Sequence, residues 1–571
     1  MRSDAARRIR RALGAALFLA PAACEPSAAP RDRLFADVAT QVGIQFTHEN
    51  GARGKYYLPE IMGPGCALFD YDLDGDLDVY AVQSGTLDDA LPGDAARGEP
   101  RPTSRLFRND LVGPGAVRGP LHFTDVTEAA RVGAKGYGLG CAVGDYDNDG
   151  DPDLYVTCFG PNVLFENGGD GAFTDVTAAA GVGDPGFSVS AAFLDYDLDG
   201  RLDLFVANYV EFQLGAHRAC ARLGGQPDYC GPLSYAPAPD RLYHNEGGGR
   251  FADATSRAGL ATRYFNGLGA VAADLDGDGW PDIFVANDAT PNQLWMNQRD
   301  GRFRDEAVER GCAYGQDGVS LAGMGVAAAD FDRDGDLDLY ITHEVTEVNT
   351  LYRNRGDGRF EDASAASGLA TPSLPYSGFG TAFLDVDADG WLDLFVANGA
   401  VRKLADQLDT RHPYRQPDQL FHNAGGKFTE VTASAGLEDD GVEAGRGAAI
   451  GDVDGDAAPD LLVANNAGPL RLLLNRAGTS SRTISVEFRG RSANRGAVGA
   501  RVLVRVPGGQ AWAHSVGTEG SYASASSPIL LVPVPLGVNE VELEVKWPCL
   551  PPVTSTVKLS LAERRVVIDQ P

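Results

Sequence analysis

An acidic nine-residue pattern, D-x-D-x-D-G-x-x-D, returns along this chain with a period of 40 to 80 residues, and it limits the possible folds more than any other feature. Its first copy lies in "DYDLDGDLDVY", residues 70 to 80. Full copies start at Asp70, Asp145, Asp195, Asp274, Asp330 and Asp385. A seventh starts at Asp452 and carries Ala457 where the others have Gly. Gly-rich text such as "GLGCAVG" and "GFGTAFL" precedes the copies, and short apolar runs such as "LFVAN" follow them. Apolar runs of that length bounded by turn residues read as buried strands.

Two further signatures keep step with the first. L-x-x-N occurs at 106, 164, 242, 294, 351, 420 and 472. A phenylalanine followed by an acid and a small or β-branched residue occurs at 123, 173, 251, 303, 360 and 428. The seventh copy of this last element is missing after the seventh acidic motif and stands instead at the front, as "FADVA" at 35–39. Three elements seven times each, with one copy moved to the start, is the pattern of a closed ring. The expectation is an all-β chain: a seven-bladed β-propeller over 34–478, closed by an N-terminal strand, with no free sheet edge.

Aspartates this dense repel one another unless a cation lies among them. Positions 1, 3, 5 and 9 give the candidate metal ligands. They are Asp70, Asp72, Asp74 and Asp78 in the first copy, and Asp145, Asp147, Asp149 and Asp153 in the second. The third supplies Asp195, Asp197, Asp199 and Asp203, and the fourth Asp274, Asp276, Asp278 and Asp282. Asp330, Asp332, Asp334 and Asp338 follow in the fifth, then Asp385, Asp387, Asp389 and Asp393 in the sixth. The degenerate seventh has Asp452, Asp454, Asp456 and Asp460. Hard oxygens converging from one tight loop suit Ca²⁺ better than Mg²⁺, which demands a stricter octahedron. Zinc would require His or Cys, and the loops themselves contain neither. Position 12 of the first copy is Ala81 rather than Glu, and the flanks read as strands, so an EF-hand does not fit. These aspartates nearly account for the formal net charge of -30, a balance that also argues against nucleic acid as a partner.

The Gly-rich strand, the Asp loop and the L-x-x-N and F-x-D-V-T texts together resemble the FG-GAP and VCBS repeats of integrin-like propellers. The resemblance implies calcium at the loop aspartates. Beyond 482 the acidic motif is absent. "SANRGAVGARVLVRV" (492–506), "GTEGSYASASS" (517–527) and "LGVNEVELEVKWP" are similar to the ASPIC/UnbV domain that follows such repeats in bacterial, cartilage acidic protein-like chains. "LLVPVPLG" and "WPCL" depart from that domain's usual text. A small β-sandwich over 482–570 is expected, "EVELEVK" at 540–546 alternating as a half-buried strand.

The first 24 residues read as a signal peptide: Arg2, Arg7, Arg8, Arg10 and Arg11, a short apolar core, then Ala20, Ala22 and Ala23. Residues 25–33 form a linker. Cys24 resembles a lipoprotein cleavage site, although Pro21 stands where Leu is usual, so lipidation and simple secretion both stay open. Either way the chain is expected to be exported: secreted, periplasmic or an outer-membrane or surface lipoprotein, touching a membrane only through that anchor. An oxidising compartment permits a disulfide between Cys220 and Cys230 in "CARLGGQPDYC", whereas Cys66 and Cys141 read as small buried residues.

Insertions at 82–104, 209–240 and 399–418 follow the second strand of their blades and so belong to the face opposite the Asp loops. Polar residues gather at those strand ends: Asn208, Asn287, Asp288, His343, Glu344, Asn398, Asn465 and Asn466. A protein or glycan ligand is expected on that face, unless these side chains only satisfy turn backbones. No G-x-S-x-G, H-E-x-x-H or phosphate loop occurs. His343, Glu344 and Glu347 are the best acid–base candidates, and a calcium-dependent polysaccharide lyase is the enzymatic alternative. A non-catalytic binding, adhesion or matrix-interaction module is the preferred reading.

Overall fold

The computed structural model describes residues 33–87, 102–113, 117–221, 225–402, 413–437, 441–477, 482–535 and 537–571. The signal peptide, Cys24 and most of the linker lie outside these residues, as do parts of all three insertions.

Seven four-stranded antiparallel sheets follow one another along the chain. Their first strands are Cys66–Phe69, Tyr137–Gly144, Ser188–Leu194, Gly267–Ala273, Val326–Ala329, Gly378–Leu384 and Gly445–Gly451. Each packs against the first strand of the next sheet, and the seventh packs against the first, so the sheets form a ring around these innermost strands. The outer strand of the seventh sheet is Phe35–Asp37, which pairs antiparallel with Arg471–Asn475, Phe35 opposite Asn475. Apolar side chains fill the space between neighbouring blades. Cys66, Leu68 and Val79 of blade one, for example, pack with Ala449 and Leu462 of blade seven.

The phenylalanine–acid signature is explained by a local turn. Asp125 Oδ1 accepts both the backbone N–H and the hydroxyl of Thr127, and Thr127 Oγ1 accepts the N–H of Leu106 in the adjacent strand. Asp175 with Thr177 repeats this in blade two, and Asp362 with Ser364 in blade five.

Past the ring, a three-stranded and a four-stranded sheet enclose a separate core containing Val486, Val504, Leu543 and Trp547. This domain stands on the Asp-loop face. Arg495 donates to the Asp149 carbonyl, Arg565 to that of Gly75 and Arg501 to that of Gly335, at 2.9, 2.7 and 2.5 Å.

From it, residues 517–527 run into the axis of the ring. Val326 and Ser521 exchange backbone hydrogen bonds of 2.9 and 2.6 Å, and Cys141 N–H reaches the Ala523 carbonyl at 3.0 Å. Ala525 pairs with Cys66 and Leu68, and Ser527 N–H reaches Ile450. Side chains complete the set: Ser521 Oγ accepts from Thr381 N–H, and Ser190 Oγ from Ala523 N–H. Small residues on both sides make this approach possible. A Cβ on Gly65 would lie 1.6 Å from the Ala523 carbonyl oxygen, and one on Gly140 would lie 2.8 Å from the Ala523 methyl. The "GSYASASS" text is thus an axial plug that satisfies inner-strand backbone groups a free channel would leave to solvent.

Cys220 and Cys230 are bridged, with Cα atoms 5.3 Å apart. Cys66 and Cys141 are free and buried, and burial pushes the Cys66 thiol up to about 12.

Candidate cation sites in the seven aspartate loops

Each Asp loop joins the first and second strands of its blade, and its aspartates divide the work. The position-9 carboxylate is a scaffold that accepts two backbone hydrogen bonds. Asp78 Oδ2 accepts Tyr71 N–H and its Oδ1 accepts Asn109 N–H, at 2.9 and 2.8 Å. The same two bonds recur from Asp153 to Asp460. Position 1 accepts the N–H of position 6 through one oxygen, as Asp70 Oδ2 does from Gly75, leaving the other turned into the loop. Gly75 has φ 98° and Ala457 adopts φ 70°, so the degenerate seventh loop keeps the turn and its bond from Ala457 N–H to Asp452 Oδ2. Position 4 is left-handed too, including Leu73, Leu198 and Ala388, a requirement the motif did not reveal.

The electrostatics of these loops call for a cation. Asp70 Oδ1, Asp72 Oδ1, Asp145 Oδ1, Asp197 Oδ1, Asp274 Oδ1 and Asp332 Oδ1 are buried and accept no hydrogen bond. Burial, reinforced by neighbouring aspartates, pushes the carboxyls of Asp70 and Asp145 up to about 7 and that of Asp195 up to about 8. Asp153 rises to about 9, also chiefly through burial. An ionised carboxylate buried without a partner is costly by several kcal/mol, and a hard divalent ion removes that cost while bringing its own charge. Asp70, Asp72 and Asp78 place one oxygen each within 4.8 Å of the others, as do Asp145, Asp147 and Asp153. The donor set fits calcium.

The loops are not alike in what faces them. In blades two, three, five and six the residue preceding the L-x-x-N asparagine faces its own loop. In blade five this is Arg353, whose Nε lies 3.1 Å from Asp332 Oδ2. In blade two it is Glu166, which accepts from Tyr146 Oη at 2.6 Å. In blades three and six it is a histidine: His244 Nδ1 lies 3.1 Å from Asp203 Oδ1 and His422 Nδ1 3.1 Å from Asp393 Oδ1. The loops lack histidine, but the third strand brings one to two of them, and the shared texts "LYHN" and "LFHN" were the signal. Blade four surrounds its loop with guanidinium groups instead, Arg310 on Asp276, Arg299 on Asp278 and Arg501 3.7 Å from Asp274.

On the opposite face the expected polar residues separate. Asn208, Asn287, Asn398 and Asn465 are buried, and each donates its amide to a proline carbonyl, at Pro239, Pro291, Pro417 and Pro469. They hold turns. His343 is buried against Thr350 Oγ1, and Glu347 accepts Ala322 N–H, so these two are engaged in structure. Asn466 donates to the Glu60 carbonyl and to Tyr414 Oη. Asp288 accepts from Tyr209 Oη at 2.5 Å, and burial pushes its carboxyl up to about 7. The 209–240 insertion also sends Tyr229 Oη to Glu60 Oε2 at 2.9 Å, and its Asp228 lies 3.9 Å from Arg402 in the 399–418 insertion. Glu60, Tyr209, Tyr229 and Arg402 were not singled out in the sequence, where nothing marks them as neighbours.

A seven-sheet ring carrying an aspartate loop in every blade, capped by a β-sandwich, defines the class, and the family comparisons match the repeats and the C-terminal domain. The FG-GAP-like repeat model matches 145–206, 225–285, 274–341 and 343–396, and the ASPIC and UnbV model matches 490–571. The chain carries FG-GAP-like repeats and a C-terminal ASPIC and UnbV domain. It is similar to Cartilage acidic protein 1 of Mus musculus, 30% identical over 171 residues, covering 28% of this chain and 25% of the relative. The Homo sapiens protein of that name is 31% identical over 173 residues, covering 28% and 24%. The chain thus spans about a quarter of the length of these relatives. Among solved structures, an Agrocybe aegerita lectin that recognises non-reducing terminal N-acetylglucosamine matches at TM-score 0.35 and 16% identity, covering 60% of this chain and 82% of its own. The exotype rhamnogalacturonan lyase YesX matches at 0.32 and 14%, covering 73% and 83%. Among the described residues no helix is long and apolar enough to cross a membrane.

Proposed function

We propose that this protein is an exported, calcium-stabilised binding module that meets a protein or glycan partner on the face carrying the insertions, in an adhesive or matrix-interaction role. The observation that carries the reading is the seat of the C-terminal domain. It stands on the Asp-loop face and fills the axis, so the opposite face is the one left to a partner, and that face is where the blades differ from one another. Uniform loops suit a repeated structural task, whereas a ligand requires an asymmetric surface. Calcium in the loops would supply the positive charge that the partnerless oxygens of Asp70, Asp145 and Asp274 lack. The Cys220–Cys230 bridge in the 209–240 insertion supports an oxidising compartment, and the relatives' name, cartilage acidic protein, supports a matrix setting.

Probing glycan and extracellular-protein arrays with the full chain, in calcium and after chelation, tests the reading. Ligands retained in calcium should be lost when residues 403–412 are replaced by a short Gly-Ser linker, with the melting temperature kept. Binding that survives this replacement and a matching one at 88–101 would move the ligand site elsewhere.

A further inference from the structure

Two of the seven loops differ from the rest in a way that points to a different ion. His244 Nδ1 lies 3.1 Å from Asp203 Oδ1 and 3.6 Å from Asp197 Oδ2. His422 repeats this in blade six, 3.1 Å from Asp393 Oδ1 and 3.9 Å from Asp387 Oδ2. In blade three the three donor atoms lie within 4.8 Å of one another, and the same holds in blade six. Donors bound at about 2.0–2.2 Å to one small ion stand roughly 3–4 Å apart, which is the spacing here. The carboxylate at the base of the site is fixed in advance, because Asp203 accepts the N–H groups of Tyr196 and Asn245. Independently, Asp197 Oδ1 is a buried oxygen with no hydrogen-bond partner.

We propose that the third and sixth loops bind a divalent transition ion of the zinc class through one imidazole nitrogen and two loop carboxylates. Calcium takes oxygen donors, whereas imidazole with carboxylate suits Zn²⁺, Co²⁺ or Ni²⁺. The all-oxygen first and second loops keep the calcium preference, so the ring carries two kinds of site. Blade five marks the contrast: the same register there holds Arg353, a guanidinium that already supplies positive charge to Asp332. The inference rests on the reading of the loops as cation sites.

The test uses the full chain, stripped with chelator, dialysed free of it and held in excess calcium. Zinc is then titrated in and counted by elemental analysis, with Co²⁺ absorption and nitrogen hyperfine coupling as spectroscopic readouts. Two zinc equivalents are expected to be retained, one in His244→Asn and none in a variant that adds His422→Asn. His244→Asp, which restores an oxygen donor and keeps the loop's charge partner small, should bind zinc at least tenfold more weakly while calcium still raises the melting temperature. His122→Asn, at an exposed histidine outside the loops, should leave both equivalents in place. If the wild type gains stability from calcium but retains no zinc, or the double variant keeps its zinc, the inference falls and the calcium reading stands. If neither ion binds, both fall.

Discussion

Asn109 of the first blade donates its side-chain amide to the backbone carbonyl of Val453, in the Asp loop of the seventh, at 2.9 Å. The same amide reaches Leu77 in its own loop at 3.2 Å. Around the ring the relation repeats: Asn167 to Tyr71, Asn245 to Tyr146, Asn297 to Tyr196, Asn354 to Leu275, Asn423 to Phe331 and Asn475 to Val386. The invariant letter of L-x-x-N is therefore a staple between consecutive blades. Asn109→Ala should leave two buried carbonyls unmet and lower stability by about 1–3 kcal/mol. Denaturant unfolding would show the drop, and Asn245→Ala should match it.

Ala457 occupies a left-handed turn that glycine fills in the other six loops. Replacing it with glycine relieves the Cβ clash at a small cost in unfolded-chain entropy. Ala457→Gly should raise stability by up to about 1 kcal/mol. A thermal melt that falls instead would place the strain elsewhere.

Burial raises the folded-state pKa of Asp70 and Asp145 to about 7 and of Asp195 to about 8, far above an unfolded aspartate. Such groups bind more protons folded than unfolded, so they favour the fold fully at low pH and withdraw that support as pH rises through their folded pKa. Stripped of metal, the protein should lose melting temperature between pH 5 and about 8. Saturating calcium should abolish or reverse the slope, since metal replaces the protons. A metal-free melt that is flat over this range would contradict the burial of these carboxylates.

Arg446 is fully buried beneath the Phe379 ring, its guanidinium 3.8 Å from the centroid, and it donates to the carbonyls of Ile61, Gly399, Ala400 and Gly445. It ties the 399–418 insertion and the segment entering blade one to the axis. Arg446→Met fills similar volume but deserts four carbonyls, and a loss of about 3–5 kcal/mol is expected by chemical denaturation.

The ring and its closure were legible because the sequence writes each blade with the same letters, and those letters act within a blade or between neighbours. Asn109, Asp78 and Thr127 each have a role fixed by short-range geometry. What escaped the sequence is non-local. Nothing around Ser521 or Ala523 announces pairing with Val326 or Cys141, far away in the chain, and "GSYASASS" reads only as part of the C-terminal domain until its small side chains are placed between inner strands. The histidines that face two of the loops were not legible for a related reason: His244 reaches its loop across the blade, 41 positions from Asp203. The asparagines at the strand ends follow the turn-backbone alternative: conspicuous in text, they are occupied with proline carbonyls in space.

The axial plug also dictates an order of events. Residues 517–527 come late in the chain, and Phe35–Asp37 must wait for Arg471–Asn475. Until both arrive, blade seven lacks its outer strand, the inner strands lack their axial partners and the hub is hollow. Contacts of such long sequence separation make the last folding step slow, and edges left open meanwhile invite misassembly. A chain shortened before residue 517 should accumulate as insoluble material even though all seven blades are encoded, because the hub around which they consolidate is synthesised after them.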